Sequence, residues 1–428
     1  MKILIIGNGF DLAHYLPTAY AHFMGVMQAI ENLPEDKDEV TFDDLFAGLE
    51  QSNTFFFGRT REIYDGDNLK FDVDKIYELK EKLQGNKWYS FFKKHMEIST
   101  WIDFEERIKN MLNSIKFFEE KFIYNKEALG YINFSIKSFK STDDSVLFLR
   151  GGFLKDLSEF GVLVEKDTDV FTVNKMYFEE KVCRGIKVID EVLFYKIFQD
   201  SLQYLRVFSD IFEGYLVDIV GSISLSERFK LDSIDYFFCK KEWDCVPLDR
   251  IYSFNYTSTF ARFYETEILS LEKHYYFLHG QAGNPNKKIV LGVDEVDDRL
   301  LIDYGLYGFL KYHQKLMNDT DYLFLRHDHE VTYAAEGMSG ELEIYVWGHS
   351  MDASDSDYVK EIFDFDENFV FVKVFYFGSA KFDLLANLFK IVGREKIERW
   401  MKKGALKFEK VPDLYELNFA KQTVEPER

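Results

Sequence analysis

The feature of this sequence that most restricts its fold lies at its start, where a short apolar run ends in a pair of glycines. Residues 2–6 (KILII) have the unbroken, β-branched apolar pattern of a buried strand, and Gly7-Asn8-Gly9 follows at once. A helical spacing of apolar residues begins near Thr18, which can cap a helix that runs to about Leu33. A strand, a tight glycine turn and a helix in this order are typical of the first unit of a nucleotide-binding α/β fold.

The same alternation returns only in the second half of the chain. Strand patterns occupy residues 249–254, 274–278, 288–292, 342–347 and 369–377. Helical patterns follow them at residues 257–271, 300–317, 355–363 and 379–392. Strands that alternate with helices predict an α/β fold with a mainly parallel, Rossmann-like sheet.

Between these two regions, helical periods dominate, and no repeat or low-complexity tract stands out. We therefore predict a discontinuous α/β nucleotide-binding domain made of residues 1–34 plus 249–428. Residues 35–248 are predicted to form a large, mostly α-helical insertion domain.

Charge and cysteine content exclude several classes of protein. The chain has 53 basic and 74 acidic residues and a net charge of −21, which argues against stable nucleic-acid binding. Its three cysteines fit no zinc spacing, so we expect plain thiols in a reducing compartment and no metal. The longest helical apolar region, about Leu202 to Leu225, is interrupted by charges, so we expect no membrane partner and a cytoplasmic location.

Polar residues follow the predicted strands where an open α/β sheet places its ligand-contacting groups. Asn255 ends the second strand and His279 the third, while Gly348-His349-Ser350 follows a later one. An asparagine can orient a hydroxyl or a water, and a histidine can act as a base near neutral pH. The alternative is structural: asparagine as a turn former, histidine as a buried strand-end residue, and the glycine pair as a simple turn.

The acidic residues after His349 have two interpretations. A Gly-x-Ser turn can present N–H groups and a hydroxyl to a phosphate or a ribose, with Asp352 beside it. Asp352 can instead cap the next helix, and Asp355 and Asp357 can be capping or first-turn residues.

Several of these motifs resemble a known family. The run GNGFDLAHYLPTAYAHF (residues 7–23) is similar to the N-terminal signature of the AbiH family of bacterial abortive-infection proteins. SFNYTSTF (253–260) and GHSMDASDSDY (348–358) resemble later parts of that family. Shorter similar pieces are WIDFE (101–105), LHG (278–280) and LGVD (291–294). The resemblance implies a role in defence against bacteriophage.

The order of the motifs also resembles the wider sirtuin-like fold, which implies NAD as substrate or ligand. By position, Gly7, Gly9 and Pro17 match the first NAD-binding loop, and Gly348 with Ser350 matches the last. The catalytic pair implied by the resemblance is Asn255 and His279. The other residues expected to contact NAD are Asn8, Phe10, Asp11, Thr18, Gly280, His349 and Asp352. No zinc-binding cysteine quartet is present, so the protein-deacylase form of the fold is not expected.

The expected activity is hydrolysis of NAD with release of nicotinamide during infection. Asn255 would orient the water or a ribose hydroxyl, His279 would act as general base, and Asp11 would hold a ribose hydroxyl or offset positive charge. The alternative is a non-catalytic sensor of NAD or ADP-ribose that signals to a partner through the helical domain. A nuclease toxin is least favoured. Formation of homo-oligomers through the aromatic-rich helices would hold a toxic enzyme inactive until a phage-derived trigger appears.

Overall fold

The computed structural model describes residues 1–95, 101–124, 152–168, 170–183, 186–223, 248–264, 274–411 and 413–418. The chain forms two compact units. The first contains Met1–Tyr77, Glu213–Val290 and Lys315–Arg428, and the second contains Glu78–Phe212 and Leu291–Gln314. The division into residues 1–34 plus 249–428 and 35–248 stays a prediction.

The described strands and helices are numbered in chain order. The strands are β1 (Lys2–Ile6), β2 (Val40–Thr41), β3 (Lys70–Phe71), β4 (Leu163–Asp167), β5 (Val170–Val173), β6 (Phe178–Cys183), β7 (Ile186–Val192), β8 (Arg250–Ser253), β9 (Tyr275–Phe277), β10 (Leu342–Trp347), β11 (Val370–Tyr376) and β12 (Leu406–Lys410). The α-helices are α1 (Asn8–Ala13), α2 (Tyr20–Asn32), α3 (Phe42–Ser52), α4 (Thr54–Ile63), α5 (Val73–Leu83), α6 (Lys87–Lys94), α7 (Trp101–Tyr124), α8 (Gly152–Phe160), α9 (Phe194–Gly214), α10 (Thr259–Tyr264), α11 (Asp298–Tyr304), α12 (Lys311–Met317), α13 (His329–Ala335), α14 (Ser356–Phe363), α15 (Lys381–Ile391), α16 (Arg394–Lys402) and α17 (Leu414–Asn418).

The first unit is built on a six-stranded sheet in the order β12-β11-β10-β1-β8-β9, in which every neighbouring pair is parallel. From β1 the chain adds β8 and β9 on one side and then returns to add β10, β11 and β12 on the other. This is the 3-2-1-4-5-6 order of the Rossmann fold, so the predicted α/β class and parallel sheet are confirmed. The order reverses between β1 and β10, and we call the carboxyl ends of these two strands the switch point.

The unbroken apolar run of β1 reflects burial on both faces of this sheet. Ile3 and Ile5 belong to one buried cluster, which includes side chains from α13, α14 and α16. Leu4 and Ile6 belong to the other, which includes Phe10 of α1 and side chains from α10. Helices on both faces therefore leave the strand ends as the place where polar groups can meet a ligand.

The structure confirms most of the predicted strands and corrects one. Residues 249–254, 274–278, 342–347 and 369–377 contain β8, β9, β10 and β11. The prediction of a strand at residues 288–292 is wrong: these residues form a loop, and residues 289–292 of it are buried. Its backbone groups do not pair with a neighbouring strand among the described residues. The Val290 N–H donates to the His279 carbonyl (2.8 Å), and the Tyr256 hydroxyl donates to the Val290 carbonyl (2.9 Å). Within the predicted helix 257–271, α10 ends at Tyr264, and residues 265–271 lie outside the described residues.

The predicted insertion contains helices and also short antiparallel pairs of strands. These pairs are β2 with β3, β4 with β5, and β6 with β7. In the second unit, the Lys311 ammonium lies 2.6 Å from Glu105 Oε1, so this acidic residue of the WIDFE motif pairs with a buried base. Among the described helices, none combines the length and the apolar character needed to cross a membrane.

Candidate functional site

The glycine turn after β1 lies directly against the turn after β10. The Gly7 N–H donates to the Trp347 carbonyl (3.1 Å), and the Gly9 N–H donates to the Gly348 carbonyl (2.8 Å). A Cβ atom on Gly9 would lie 2.8 Å from Gly348 Cα, and one on Gly7 would lie 2.7 Å from His349 Cα. Glycine is therefore required here by the close approach of two backbones at the switch point. Phosphate binding by these N–H groups stays a prediction.

The carboxyl group of Asp11 joins the loop after β1 to the loop after β8. Asp11 lies in α1 and is 1% exposed. Its Oδ1 atom accepts a hydrogen bond from Asn255 Nδ2 (3.1 Å), and its Oδ2 atom accepts one from the Thr257 hydroxyl (2.6 Å). The Thr259 hydroxyl donates in turn to the Thr257 hydroxyl (3.0 Å). Asp11 and Asn255 are thus brought together, while Thr257 is a member of the site that sequence reasoning missed.

Burial raises the pKa of Asp11 from 3.8 to about 6. The hydrogen bonds from Thr257 and Asn255, the nearby Thr259 hydroxyl and the positive charge of Arg262 act in the opposite direction and limit this rise. The group is therefore a buried carboxylate at neutral pH that takes up a proton in mildly acidic solution.

The amide of Asn255 has one atom that the Asp11 network leaves available. Only the amino group of the amide can donate to the Asp11 carboxylate, so this bond fixes the orientation of the amide, with Nδ2 towards Asp11. The residue is 4% exposed, and its Oδ1 atom accepts no hydrogen bond from any residue that the structure describes. A buried acceptor without a donor is costly, which favours a ligand hydroxyl or a water as its partner.

A second group of side chains is centred on Asp355, which immediately precedes α14. Its carboxylate oxygens lie 3.5 Å from His279 Nε2 and 3.3 Å from His349 Nε2. The Met351 N–H donates to His349 Nδ1 (3.0 Å), so the proton of the neutral imidazole is on Nε2 and faces the carboxylate. Burial alone would raise the pKa of Asp355, but the hydrogen bonds and charges of the two histidines outweigh it and hold the pKa well below 3.8.

Phe254, a member of the buried apolar cluster that contains Ile3 and Ile5, packs against both imidazole rings. Its ring centroid lies 5.4 Å from that of His279, 4.2 Å from that of His349 and 5.2 Å from that of Tyr358. These contacts restrict the rotation of both histidines and form an apolar wall that strengthens their interaction with Asp355.

The structure gives other predicted site residues a packing or capping role. Phe10 is fully buried and packs edge-on against Trp347 at 4.9 Å. A Cβ atom on Gly280, which has φ +88°, would lie 2.2 Å from the Lys288 carbonyl oxygen. Asp352 accepts a hydrogen bond from the Ala353 N–H (2.6 Å), in agreement with the capping alternative.

The remaining predicted residues are held by polar contacts. Asn8 Oδ1 accepts a hydrogen bond from the Thr18 hydroxyl (2.7 Å). Thr18 does not cap α2, whose N-cap residue is Ala19. The Pro17 carbonyl accepts from the Tyr215 hydroxyl, and the Ser350 carbonyl accepts from Asn387 Nδ2 (3.1 Å).

Asp355, for which the sequence left a capping or first-turn role open, is the centre of the second group of this candidate site. It occupies the N-cap position of α14, but its side chain makes no capping hydrogen bond. Asp357, two residues on, is the ordinary first-turn residue, with a side chain that is 95% exposed. The sequence placed Asp352, Asp355 and Asp357 near the start of a helix and did not single out Asp355.

One other cluster of potential ligands lies in the second unit. Ligand atoms of His95, Asp156 and Glu159 all lie within 4.8 Å of one another. His95 Nε2 is 2.9 Å from Glu159 Oε2, and burial raises the pKa of Asp156. A direct contact between the His95 imidazole and the Glu159 carboxylate accounts for the closeness of these two groups.

Replacement of Asp11 by asparagine is expected to change the pH dependence of stability. Because burial raises the pKa of Asp11 from 3.8 to about 6, the wild type loses stability as the pH rises through this interval. A pKa shift of this size corresponds to about 3 kcal/mol in the free energy of unfolding. The Asp11→Asn variant lacks the titrating group, so it does not lose this stability as the pH rises. Urea unfolding of both proteins between pH 4 and pH 7.5 tests this. A stability difference that stays constant with pH would contradict it.

Comparison with known proteins gives one match. The model of the family described as bacteriophage abortive infection AbiH matches residues 3–376. The matched range includes β1 from Ile3 onward, β8 and β10, and every side chain of the two polar groups at the switch point. Searches of curated proteins and of solved structures give no match.

Proposed function

This chain belongs to the AbiH family of bacteriophage abortive infection proteins, and on that premise we propose that it binds NAD at the switch point and hydrolyses it. The family implies a role in defence against bacteriophage. Consumption of NAD would deprive an infected cell of the cofactor it needs to support phage growth.

The observation that carries this proposal is the buried acceptor of Asn255 beside the Asp11 carboxylate. In Rossmann sheets a ligand lies across the carboxyl ends of the strands at the switch point, and side chains there bond to ribose hydroxyls. Asn255 Oδ1 is an acceptor for such a hydroxyl, and Asp11 holds the amide in the orientation that presents it. The Thr257 hydroxyl fixes the other oxygen of Asp11 and so keeps this orientation rigid.

In the second group, His279 is the base, and Asp355 is the partner for the positive charge that His279 acquires. Attack of water on C1′ of the nicotinamide ribose forms a C–O bond, while the C–N bond breaks and its electron pair leaves with neutral nicotinamide. The products are ADP-ribose, nicotinamide and one proton. His279 accepts the proton of the water, and Asp355, which lies 3.5 Å from its Nε2 atom, stabilises the imidazolium.

The negative charge of Asp11 favours the same step. Cleavage of the bond passes through a transition state in which positive charge develops on the ribose, as in other glycoside hydrolysis. The buried carboxylate beside Asn255 interacts with this charge in a medium of low dielectric constant, where the attraction is stronger than in water.

Incubation of the purified protein with NAD, with and without phage lysate, tests the proposal. We expect nicotinamide and ADP-ribose to appear in equal amounts with the wild type and neither with the Asn255→Ala/His279→Ala variant. Equal turnover by the two proteins would exclude this mechanism. Tight binding of ADP-ribose without turnover would instead support a nucleotide sensor that signals to a partner.

A further inference from the structure

The described residues near the C-terminus lie against the loop that follows α1. We use the name clasp for Val411 together with residues 413–418. Val411 and Leu414 are 3% and 2% exposed, and they belong to the same buried apolar cluster as Phe10 of α1. The clasp is therefore part of the packing that holds the helix on which Asp11 lies.

Polar contacts join the clasp to Tyr15, two residues beyond the end of α1. The Tyr15 hydroxyl donates a hydrogen bond to Asp413 Oδ1 (2.8 Å). The Arg59 guanidinium, from α4, donates to the Tyr15 hydroxyl, to the Asp413 carboxylate and to Glu416 Oε1 (2.9 Å for the last). One arginine thus ties both acidic residues of the clasp to Tyr15, and its side chain is only 15% exposed.

Aromatic contacts add to this attachment. The Arg59 guanidinium carbon lies 4.5 Å from the ring centroid of Tyr415 and 4.0 Å from that of Phe55. The Tyr415 hydroxyl donates to Glu62 Oε2 (2.6 Å), on the same helix as Arg59. The clasp is therefore bound to α4 as well as to the loop after α1.

Tyr15 has a backbone conformation that requires such support. Its φ of +57° lies in the left-handed region, which non-glycine residues adopt only when surrounding contacts hold them there. The Thr60 hydroxyl donates to its carbonyl (2.8 Å), and the clasp holds its side chain. The adjacent Leu16 N–H donates to the Asp11 carbonyl (3.1 Å), so the conformation of Tyr15 bears directly on the position of Asp11.

We propose that the clasp controls the ligand site by holding Tyr15 in its strained conformation and Asp11 against Asn255 and Thr257. When the clasp is released, Tyr15 relaxes, Asp11 leaves this position and the affinity for the nucleotide falls. This adds regulation to the proposed function and rests on it for the identity of the ligand. The effect of the clasp on Asp11 is independent of that identity.

The test compares two sets of substitutions on α4 and the clasp. The Arg59→Gln/Asp413→Asn variant removes the charges that tie the clasp to Tyr15. The control, Arg61→Gln, changes an arginine on the same helix that pairs with Asp43, Glu50 and Asp67 and not with the clasp. The readouts are the amide hydrogen exchange of residues 8–16 and the affinity for ADP-ribose.

For the double variant we expect exchange at residues 8–16 to be about tenfold faster and ADP-ribose to bind about tenfold more weakly. Exchange in β10 and β11 should be unchanged, which shows that the sheet is folded. Arg61→Gln should match the wild type in residues 8–16, and Tyr415→Phe, which removes only the bond to Glu62, should give a smaller increase.

Fast exchange in residues 413–418 of the double variant, with unchanged exchange in residues 8–16, would overturn the proposal. Failure of the wild type to bind ADP-ribose or NAD would refute the proposed function instead. In that case the exchange of residues 8–16 still decides whether the clasp controls the loop.

Discussion

Replacing His279 by alanine is expected to reduce the rate of nicotinamide release by about 10²–10⁴-fold, the usual contribution of a general base. The imidazole lies 3.5 Å from Asp355, which in the proposed mechanism stabilises it once it has taken the proton of the attacking water. In the variant, His349 Nε2 still lies 3.3 Å from the Asp355 carboxylate and donates to it, so this buried group keeps a hydrogen-bond partner and the fold is retained.

The rate is measured as nicotinamide release at saturating NAD, with circular dichroism to verify folding. His329→Ala is the matched control, because that imidazole is exposed at the start of α13 and lies outside the switch point. A His279→Ala rate within threefold of the wild type, with the fold intact, would remove His279 from the chemistry.

Replacing Gly348 by alanine is expected to lower the free energy of unfolding by about 3–5 kcal/mol and to abolish ligand binding. The new Cβ atom would lie 2.0 Å from the Phe10 nitrogen and 2.4 Å from the Gly9 carbonyl carbon. These are backbone atoms of α1 and its turn, so the clash is relieved only if the two loops move apart. The φ of Gly348, +75°, is a further cost for any residue with a side chain.

The Gly404→Ala variant separates the two causes of the expected loss of stability at Gly348, which are the steric clash and the positive φ. Gly404 has nearly the same φ, +74°, but a Cβ atom there meets nothing within 4 Å. Its substitution should therefore cost only the conformational strain, about 1–2 kcal/mol. Urea unfolding of both variants measures the difference, and equal losses would show that the close approach of the two loops contributes nothing.

The sheet and the location of the site could be predicted from local patterns. Strands β8, β10 and β11 are short apolar runs bounded by polar turns, and parallel strands place their carboxyl ends at one edge. Asn255 and His349 lie just beyond such runs, so the strand assignment alone placed them at the carboxyl edge of the sheet, where the glycine turn also lies. The AbiH motifs pointed to the same family that the family model matches.

The prediction of a strand at 288–292 was wrong because an apolar pattern indicates that side chains are buried, and not that the backbone pairs with another strand. Val290 is 1% exposed, as a strand residue would be. Its N–H and carbonyl instead bond to His279 and to the Tyr256 hydroxyl, which are distant in sequence. Periodicity alone does not distinguish a buried strand from a buried loop whose partners come from elsewhere.

The role of Asp355 was equally inaccessible to local reasoning. Asp352, Asp355 and Asp357 all stand where a helix begins, and each has the chemistry of a capping or first-turn residue. Only the meeting of the loops after β9 and β10 brings two imidazoles to Asp355 and none to its neighbours. Such a pairing depends on tertiary structure, which a single sequence does not display.

The strand order has a consequence for synthesis of the protein on the ribosome. In β1, Ile3 pairs with Arg250 of β8 and with Ile344 of β10, so the pairing of β1 is incomplete until both of these strands have been translated. At about 5–20 residues per second, roughly 15–70 s pass before β10 is made. During this time the nascent chain has the glycine turn but not the loop that packs against it. A prematurely terminated chain that lacks β10 would therefore lack the assembled candidate site.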